Sequence, residues 1–241
     1  MLLTRLPLSR FARADTPPDL ARCVWAFPVV GFAVNGLGGL VCWLLHKAGV
    51  PPLLAAAWVL ATTVILTGGF HEDGLADTAD GFGGGSSPIR KLEIMRDSRI
   101  GSYGALALLL SVMIRAAAIA ALVDPTRVVA AMIVAGMLGR TGMLVILLAL
   151  RPARAGGMGA AMGKIDAKSA AVGFGLTIVA ALVWLPIRPA LAMVILGIGA
   201  STAVAKLAHT QIGGYTGDVL GAAEVITECV ALTVATVIFS P

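Results

Sequence analysis

The 241-residue chain is 58% hydrophobic and 13% charged, with a mean hydropathy of +0.93, which excludes an ordinary soluble domain and indicates a polytopic membrane protein. Its net charge of +5 and pI near 9.5 would suit a nucleic-acid binder, but no basic run is interleaved with aromatics and only 5% of residues are aromatic, so no nucleic-acid partner is expected. Cys23, Cys42 and Cys229 lie far apart without a Cys-x-x-Cys spacing and read as small buried hydrophobes rather than as disulfide or zinc partners.

The first 22 residues carry Arg5, Arg10, Arg13, Asp15, Asp19 and Arg22, which break any apolar run, so no cleavable signal peptide is expected. Beyond them, apolar stretches near the length needed to cross a bilayer predict about seven transmembrane helices, at 24–45, 51–70, 102–123, 127–150, 169–187, 189–207 and 219–239. The expected fold is therefore all-α, a membrane helix bundle forming one domain over 1–241. With the N-terminus inside, the inner side collects Arg5, Arg10, Arg13, Arg22, Arg90, Lys91, Arg96, Arg99, Arg151, Arg154, Lys164, Lys168 and Lys206, against Lys47, Arg127 and Arg188 outside. This bias predicts a cytoplasmic N-terminus and an external C-terminus, with the segments 68–104, 151–168 and 208–218 in the cytoplasm.

Segment 68–104 holds Glu72, Asp73, Asp77, Asp80, Glu93 and Asp97, six of the chain's 13 acidic residues. If 72–80 is helical, Asp73, Asp77 and Asp80 stand at i, i+4 and i+7 and share one face. Glu93 and Asp97 repeat the i, i+4 spacing. Like charges so placed destabilise a helix, whereas Mg2+ uses one or two carboxylates together with substrate phosphates. An Mg2+-dependent phosphoryl-transfer site fits the pattern, and so does a solvated acidic face capping a membrane helix. The Gly-Gly-Gly-Ser-Ser-Pro run at 83–88 is expected to break the helix as a mobile connection. His71, directly before the acidic run, suits metal ligation or proton transfer.

Further along, Ala-Arg-Ala-Gly-Gly-Met-Gly (153–159) sets Arg154 beside exposed backbone amides, an arrangement suited to phosphate oxygens. Gly-Gly-Tyr-Thr-Gly-Asp-Val-Leu-Gly (213–221) puts Thr216 and Asp218 at the start of the last helix, where they serve an anion or act as N-caps. Arg115, Arg140, Lys206, Glu224 and Glu228 fall within apolar segments, where a charge needs a partner or a polar cavity. Glu224 and Glu228 therefore either pair with Arg115, Arg140 or Lys206, or line a cavity continuous with the site. No P-loop and no Gly-x-Ser-x-Gly elbow is present.

Gly-Gly-Phe-His-Glu-Asp-Gly-Leu-Ala-Asp-Thr-Ala-Asp-Gly (68–81), followed by Leu-Glu-Ile-Met-Arg-Asp-Ser-Arg-Ile-Gly (92–101), closely resembles cobalamin synthases, the adenosylcobinamide-GDP ribazoletransferases. The resemblance extends to Thr-Arg-Leu-Pro-Leu (4–8), Phe-Pro-Val-Val-Gly (27–31), 153–159 and 213–222, and so covers the chain in order. It implies a multi-pass enzyme of the bacterial inner membrane that joins adenosylcobinamide-GDP to α-ribazole or its 5′-phosphate, releasing GMP, with Mg2+ as cofactor. On that reading Asp73, Asp77, Asp80 and Asp97 would hold metal. Arg96, Arg99 and Arg154 would meet phosphate, Arg96 as a catalytic residue, with Lys164, Thr216, Asp218, Glu224 and Glu228 also at the substrate. Asp80 or His71 would accept the proton of the attacking hydroxyl. The partners implied are these substrates and the lipid bilayer, with homo-oligomerisation left open.

Two other classes compete. A phosphoalcohol transferase acting on CDP-linked lipids also arrays aspartates on helices, but its Asp-Gly-x-x-Ala-Arg pattern is missing, since Asp77 follows Asp73-Gly74-Leu75-Ala76. A divalent-cation transporter would place its acids near the bilayer midplane, a feature only Glu224 and Glu228 share.

Overall fold

The computed structural model describes residues 3–5, 19–156, 159 and 162–239, and within them it is an all-α bundle. After a 3-10 turn at Val24–Ala26, the helices are α1 (Phe27–Lys47), α2 (Pro52–Thr67), α3 (Phe70–Gly84), α4 (Pro88–Ile94), α5 (Ser102–Ala121), α6 (Pro125–Ala149), α7 (Ala167–Trp184), α8 (Ile187–Ile212) and α9 (Gly217–Phe239). The seven expected spans are α1, α2 and α5 to α9. Six are long and apolar enough to cross by themselves, whereas the 16-residue α2 reaches a seventh only together with α3.

Between α2 and α3 the chain bends by 91°. Gly68 and Gly69 take φ of +74° and +70° in succession, a backbone that side-chain-bearing residues avoid. Beyond the bend the acidic α3 packs along α5 and α9, with Asp80 at the start of α5 and Glu72 at Arg115. The pair α2 and α3 thus counts as at most one crossing.

The centre of the bundle is α6, buried along most of its length and packed against α1, α7, α8 and α9. Small residues permit this. A Cβ at Gly139 would lie 3.0 Å from the Glu224 carboxylate, and Gly136 and Gly31 bring α6 and α1 into backbone contact. In a membrane, helix association depends on such close approach and on interhelical hydrogen bonds. Two of these are Thr141 to Thr177 and Ser201 to Thr227, each 2.7 Å. The outward faces of α5, α7 and α8 present Leu109, Met113, Val179, Val183, Ile195 and other apolar side chains, as lipid contact requires.

Two expectations about the acidic segment are corrected. The glycine run does end α3, but as a tight turn: Gly83 packs on the Tyr103 ring, Gly85 on Lys91, and Ser87 caps α4 by accepting from the Arg90 N–H at 3.3 Å. Glu93 and Asp97 do not share a helix face, because α4 stops at Ile94; Glu93 pairs with Arg90 instead, at 2.9 Å.

The expected seven crossings would put the two ends of the chain on opposite sides. A reporter fused after Pro241 that works only outside the cytoplasm is expected to be active, and one that works only inside is expected to be silent. The reverse result would mean an even number of crossings.

Candidate active site

The four acids of α3 separate into two kinds. Asp73 and Asp77 face a cleft of about 440 Å³ lined also by Gly69, Glu72, Ala76, Met95, Arg96, Asp97, Ser98 and Arg99. Neither carboxylate takes part in a hydrogen bond or ion pair among the described residues. Partial burial, with Asp73, Asp218 and Asp80 nearby, pushes the Asp77 carboxyl up to about 7 despite the opposing pull of Arg154. Asp80 lies outside this cleft, 8% exposed, at the edge of an adjoining one that shares Asp97 and Arg99, and both its oxygens are engaged: Gly101 N–H donates to Oδ2 at 2.7 Å and Gly104 N–H to Oδ1 at 2.8 Å. The i, i+4, i+7 face is real, but its third carboxylate is committed to the start of α5.

Asp218 joins Asp73 and Asp77 through a glycine crossing. A Cβ at Gly74 would lie 2.7 Å from the Asp218 carbonyl oxygen, and one at Gly221 would lie 3.1 Å from the His71 carbonyl oxygen, so α3 and α9 meet backbone to backbone. Asp218 Oδ2 accepts from the Thr216 hydroxyl at 3.0 Å and from Arg154 Nη2 at 3.4 Å. Thr216 also caps α9, its Oγ1 accepting from Val219 N–H at 3.3 Å. Arg154 reaches the cluster because 151–153 lies against Tyr215: Ala153 N–H donates to the Tyr215 carbonyl at 2.8 Å and Tyr215 N–H to that of Arg151 at 3.0 Å. Its Nη1 is buried and makes no hydrogen bond among the described residues, leaving a donor for an anion.

The cleft's other charges come from the loop after α4. Arg96 and Arg99 are exposed along it. Arg99 grips Asp97 through Nη2 at 2.7 Å and Nε at 3.0 Å, and these hydrogen bonds lower the Asp97 carboxyl to about 2. Asp97 therefore lines the cleft as half of an ion pair. Lys164 is exposed before α7 and makes no ion pair among the described residues.

His71, Glu224 and Glu228 lie behind the cleft, around a closed space of about 10 Å³ with Asn35, Thr63, Thr67, Glu72, Arg115 and Arg140. Arg140 Nη1 contacts Glu224 Oε1 at 2.5 Å, and Arg115 Nη1 bridges Glu228 Oε2 and Glu72 Oε1 at 3.0 Å each. Asn35 donates to Glu228, and His71 Nδ1 lies 3.8 Å from Glu224 Oε2. The two glutamates, expected at the substrate, are thus found in ion pairs behind the cleft. Each is spoken for by a buried guanidinium, because a carboxylate at bilayer depth is tolerable only with a charged partner. His71 is likewise shut away from any hydroxyl in the cleft. Lys206, the other partner considered, stays exposed.

Residues 1–236 match the family profile described as cobalamin-5-phosphate synthase. The chain belongs to the cobalamin-5-phosphate synthase family. It is 45% identical over 217 residues to the adenosylcobinamide-GDP ribazoletransferase of Bradyrhizobium diazoefficiens, covering 90% of this chain and 83% of that protein. Proteins of the same name from Azorhizobium caulinodans and Mesorhizobium japonicum are 44% and 41% identical, over 93% and 100% of this chain and 88% and 92% of theirs. No solved structure matches it significantly. As a member of this family the chain is a transferase.

Some features of this synthase-family site were not legible as such. Asp218 belongs with Asp73 and Asp77, although 141 positions separate it from Asp77. Glu72 had no role in the sequence reading and proves to link the cleft to the buried Arg115. Tyr215, buried with its hydroxyl donating to the Gly159 carbonyl at 3.1 Å, fastens one motif loop to the other. The signal for it was only its place in the Gly-Gly-Tyr-Thr-Gly-Asp run.

Proposed function

We propose that this protein transfers the cobinamide phosphoryl group of adenosylcobinamide-GDP to a free ribose hydroxyl of α-ribazole, or of α-ribazole 5′-phosphate, in an Mg2+-dependent reaction at the cytoplasmic face of the inner membrane. The names of its relatives indicate the first substrate. The observation that carries the reading is the placement of Asp73 and Asp77 on a cleft that also holds Arg96 and Arg99, with Asp218 close enough to act on the Asp77 carboxyl. The new bond joins the oxygen of that ribose hydroxyl to the phosphorus that bears cobinamide, the bridging pyrophosphate bond breaks, the hydroxyl loses its proton, and GMP leaves.

The donor set suits Mg2+. Among the described residues, no three His, Cys, Asp or Glu groups converge into a ready metal cage. Mg2+ asks for none, since it usually keeps several waters and binds through one or two carboxylates plus substrate phosphates. Asp73 and Asp77, open to the cleft and unpaired, with Asp218 beside them, are the residues that would hold it. When bound, it would neutralise phosphate charge and stabilise the departing GMP.

The remaining work falls to the chain itself. Arg154 Nη1, a buried donor without a partner among the described residues, is available to a phosphate oxygen, and Arg96 and Arg99 bring two more positive charges to the cleft beside Asp73 and Asp77. The proton of the attacking hydroxyl goes to a carboxylate oxygen of the cleft, for which Asp77 stands in place, because His71 is buried and both Asp80 oxygens already accept N–H donors. A transport site at Glu224 and Glu228 finds no support, as both are neutralised by arginine.

The test uses purified protein in nanodiscs with adenosylcobinamide-GDP and α-ribazole. One GMP per corrinoid product is expected, abolished by EDTA and restored by Mg2+. Turnover that survives thorough chelation would remove the metal, and absence of GMP with all substrates present would remove the reaction.

A further inference from the structure

We propose that Asp80 is a positioning residue that fixes the arginine-bearing loop 95–101 over the cleft, and that it does not ligate metal. The inference rests on the phosphoryl-transfer reading above and assigns the means by which the GDP end of the substrate is gripped. Asp80 is the acid in the motif whose oxygens are both consumed within the protein, by the N–H groups of Gly101 and Gly104. Gly101 is the N-cap of α5 and has no side chain to cap with, so a carboxylate from α3 does so, satisfying two of the four N–H groups a helix start leaves open and meeting the positive end of its dipole. The glycines at 101 and 104 are required by that contact, because a Cβ at either would collide with the Asp80 carboxylate.

The other end of the loop is held next door. Met95, buried, packs its side chain against Gly81, so adjacent residues of α3 pin both ends of a segment containing Arg96 and Arg99. Those two arginines line the same cleft as Asp73 and Asp77 one and two turns earlier on α3. The four acids of α3 thus divide their labour. Asp73 and Asp77 serve the cleft, while Glu72, through Arg115, and Asp80, through the α5 N-terminus, fasten α3 to α5.

The experiment compares Asp80→Asn, Asp73→Asn and Arg99→Ala in nanodisc-reconstituted protein, reading KM for adenosylcobinamide-GDP, kcat and the Mg2+ concentration for half-maximal rate. Asn at 80 can accept one N–H but not both. The expected result is KM raised about 10- to 100-fold, with half-saturating Mg2+ within about twofold of the parent. Arg99→Ala should then add little in the Asp80→Asn background. Gly104→Ala, which displaces the carboxylate without removing it, should reproduce the KM effect. Half-saturating Mg2+ shifted about tenfold or more in Asp80→Asn, as expected of Asp73→Asn, would overturn the proposal, as would fully additive Arg99→Ala. Loss of both the Asp80→Asn and Gly104→Ala proteins from the membrane would also overturn it, by assigning Asp80 to folding alone. An inactive parent protein would instead count against the reaction itself.

Discussion

Asp73→Asn and Asp77→Asn are each expected to lower GMP release by about 10²- to 10³-fold or more, with the protein still present at normal level in the membrane. The size follows from what removing one preorganised charge-stabilising group costs a reaction that develops negative charge. The normal level follows from the structure: both carboxylates face the cleft and hold nothing together, so Asn leaves no buried group without a partner. Reduced repulsion from Asp218 and Asp80 should leave Asp77→Asn no less stable than the parent. The measurement is initial-rate GMP release alongside quantification of folded protein by size-exclusion profile. Near-normal turnover in both variants would sink the assignment of this cleft as the active site.

Glu224→Gln should behave in the opposite way, losing stability first. Arg140 Nη1 has Glu224 Oε1 at 2.5 Å and lies 4.0 Å from Glu228, with the Gly136 carbonyl accepting at 3.3 Å, so this glutamate is its nearest anion. Removing one partner of a buried pair costs about 3–5 kcal/mol. For a protein of this size that corresponds to a fall in melting temperature of roughly 6–20 °C. Glu228→Gln should be milder, since Arg115 keeps Glu72. Double replacement of Arg140 and Glu224 by uncharged residues should recover part of the loss, because the cost comes from the orphaned charge. Melting curves and low-temperature GMP release measured side by side decide the matter. Undiminished melting temperature with lost turnover would return Glu224 to the substrate.

The membrane bundle and its family were legible in the residues themselves. Apolar runs of bilayer length need no tertiary context to be read, because the backbone in lipid must satisfy its hydrogen bonds within each segment, and the spans 102–123 and 127–150 accordingly differ from α5 and α6 by only a few residues. Helical periodicity likewise fixed that Asp73, Asp77 and Asp80 share a face, and the motif order pointed to the cobalamin-5-phosphate synthase family.

What each acid on that face does was decided only by what packs against it. Periodicity gives an azimuth, and three carboxylates on one azimuth look alike until α5 arrives to take Asp80 and the cleft is left to Asp73 and Asp77. Asp218 could not be joined to them from spacing, since its place depends on the Gly74–Gly221 crossing of α3 and α9, a contact between helices remote in sequence. The same holds for Glu224 and Glu228. The sequence showed that charges inside spans need partners, and only the packing of α1, α5, α6 and α9 chose Arg140 and Arg115 over Lys206, because an ion pair depends on distances that three-dimensional packing alone sets.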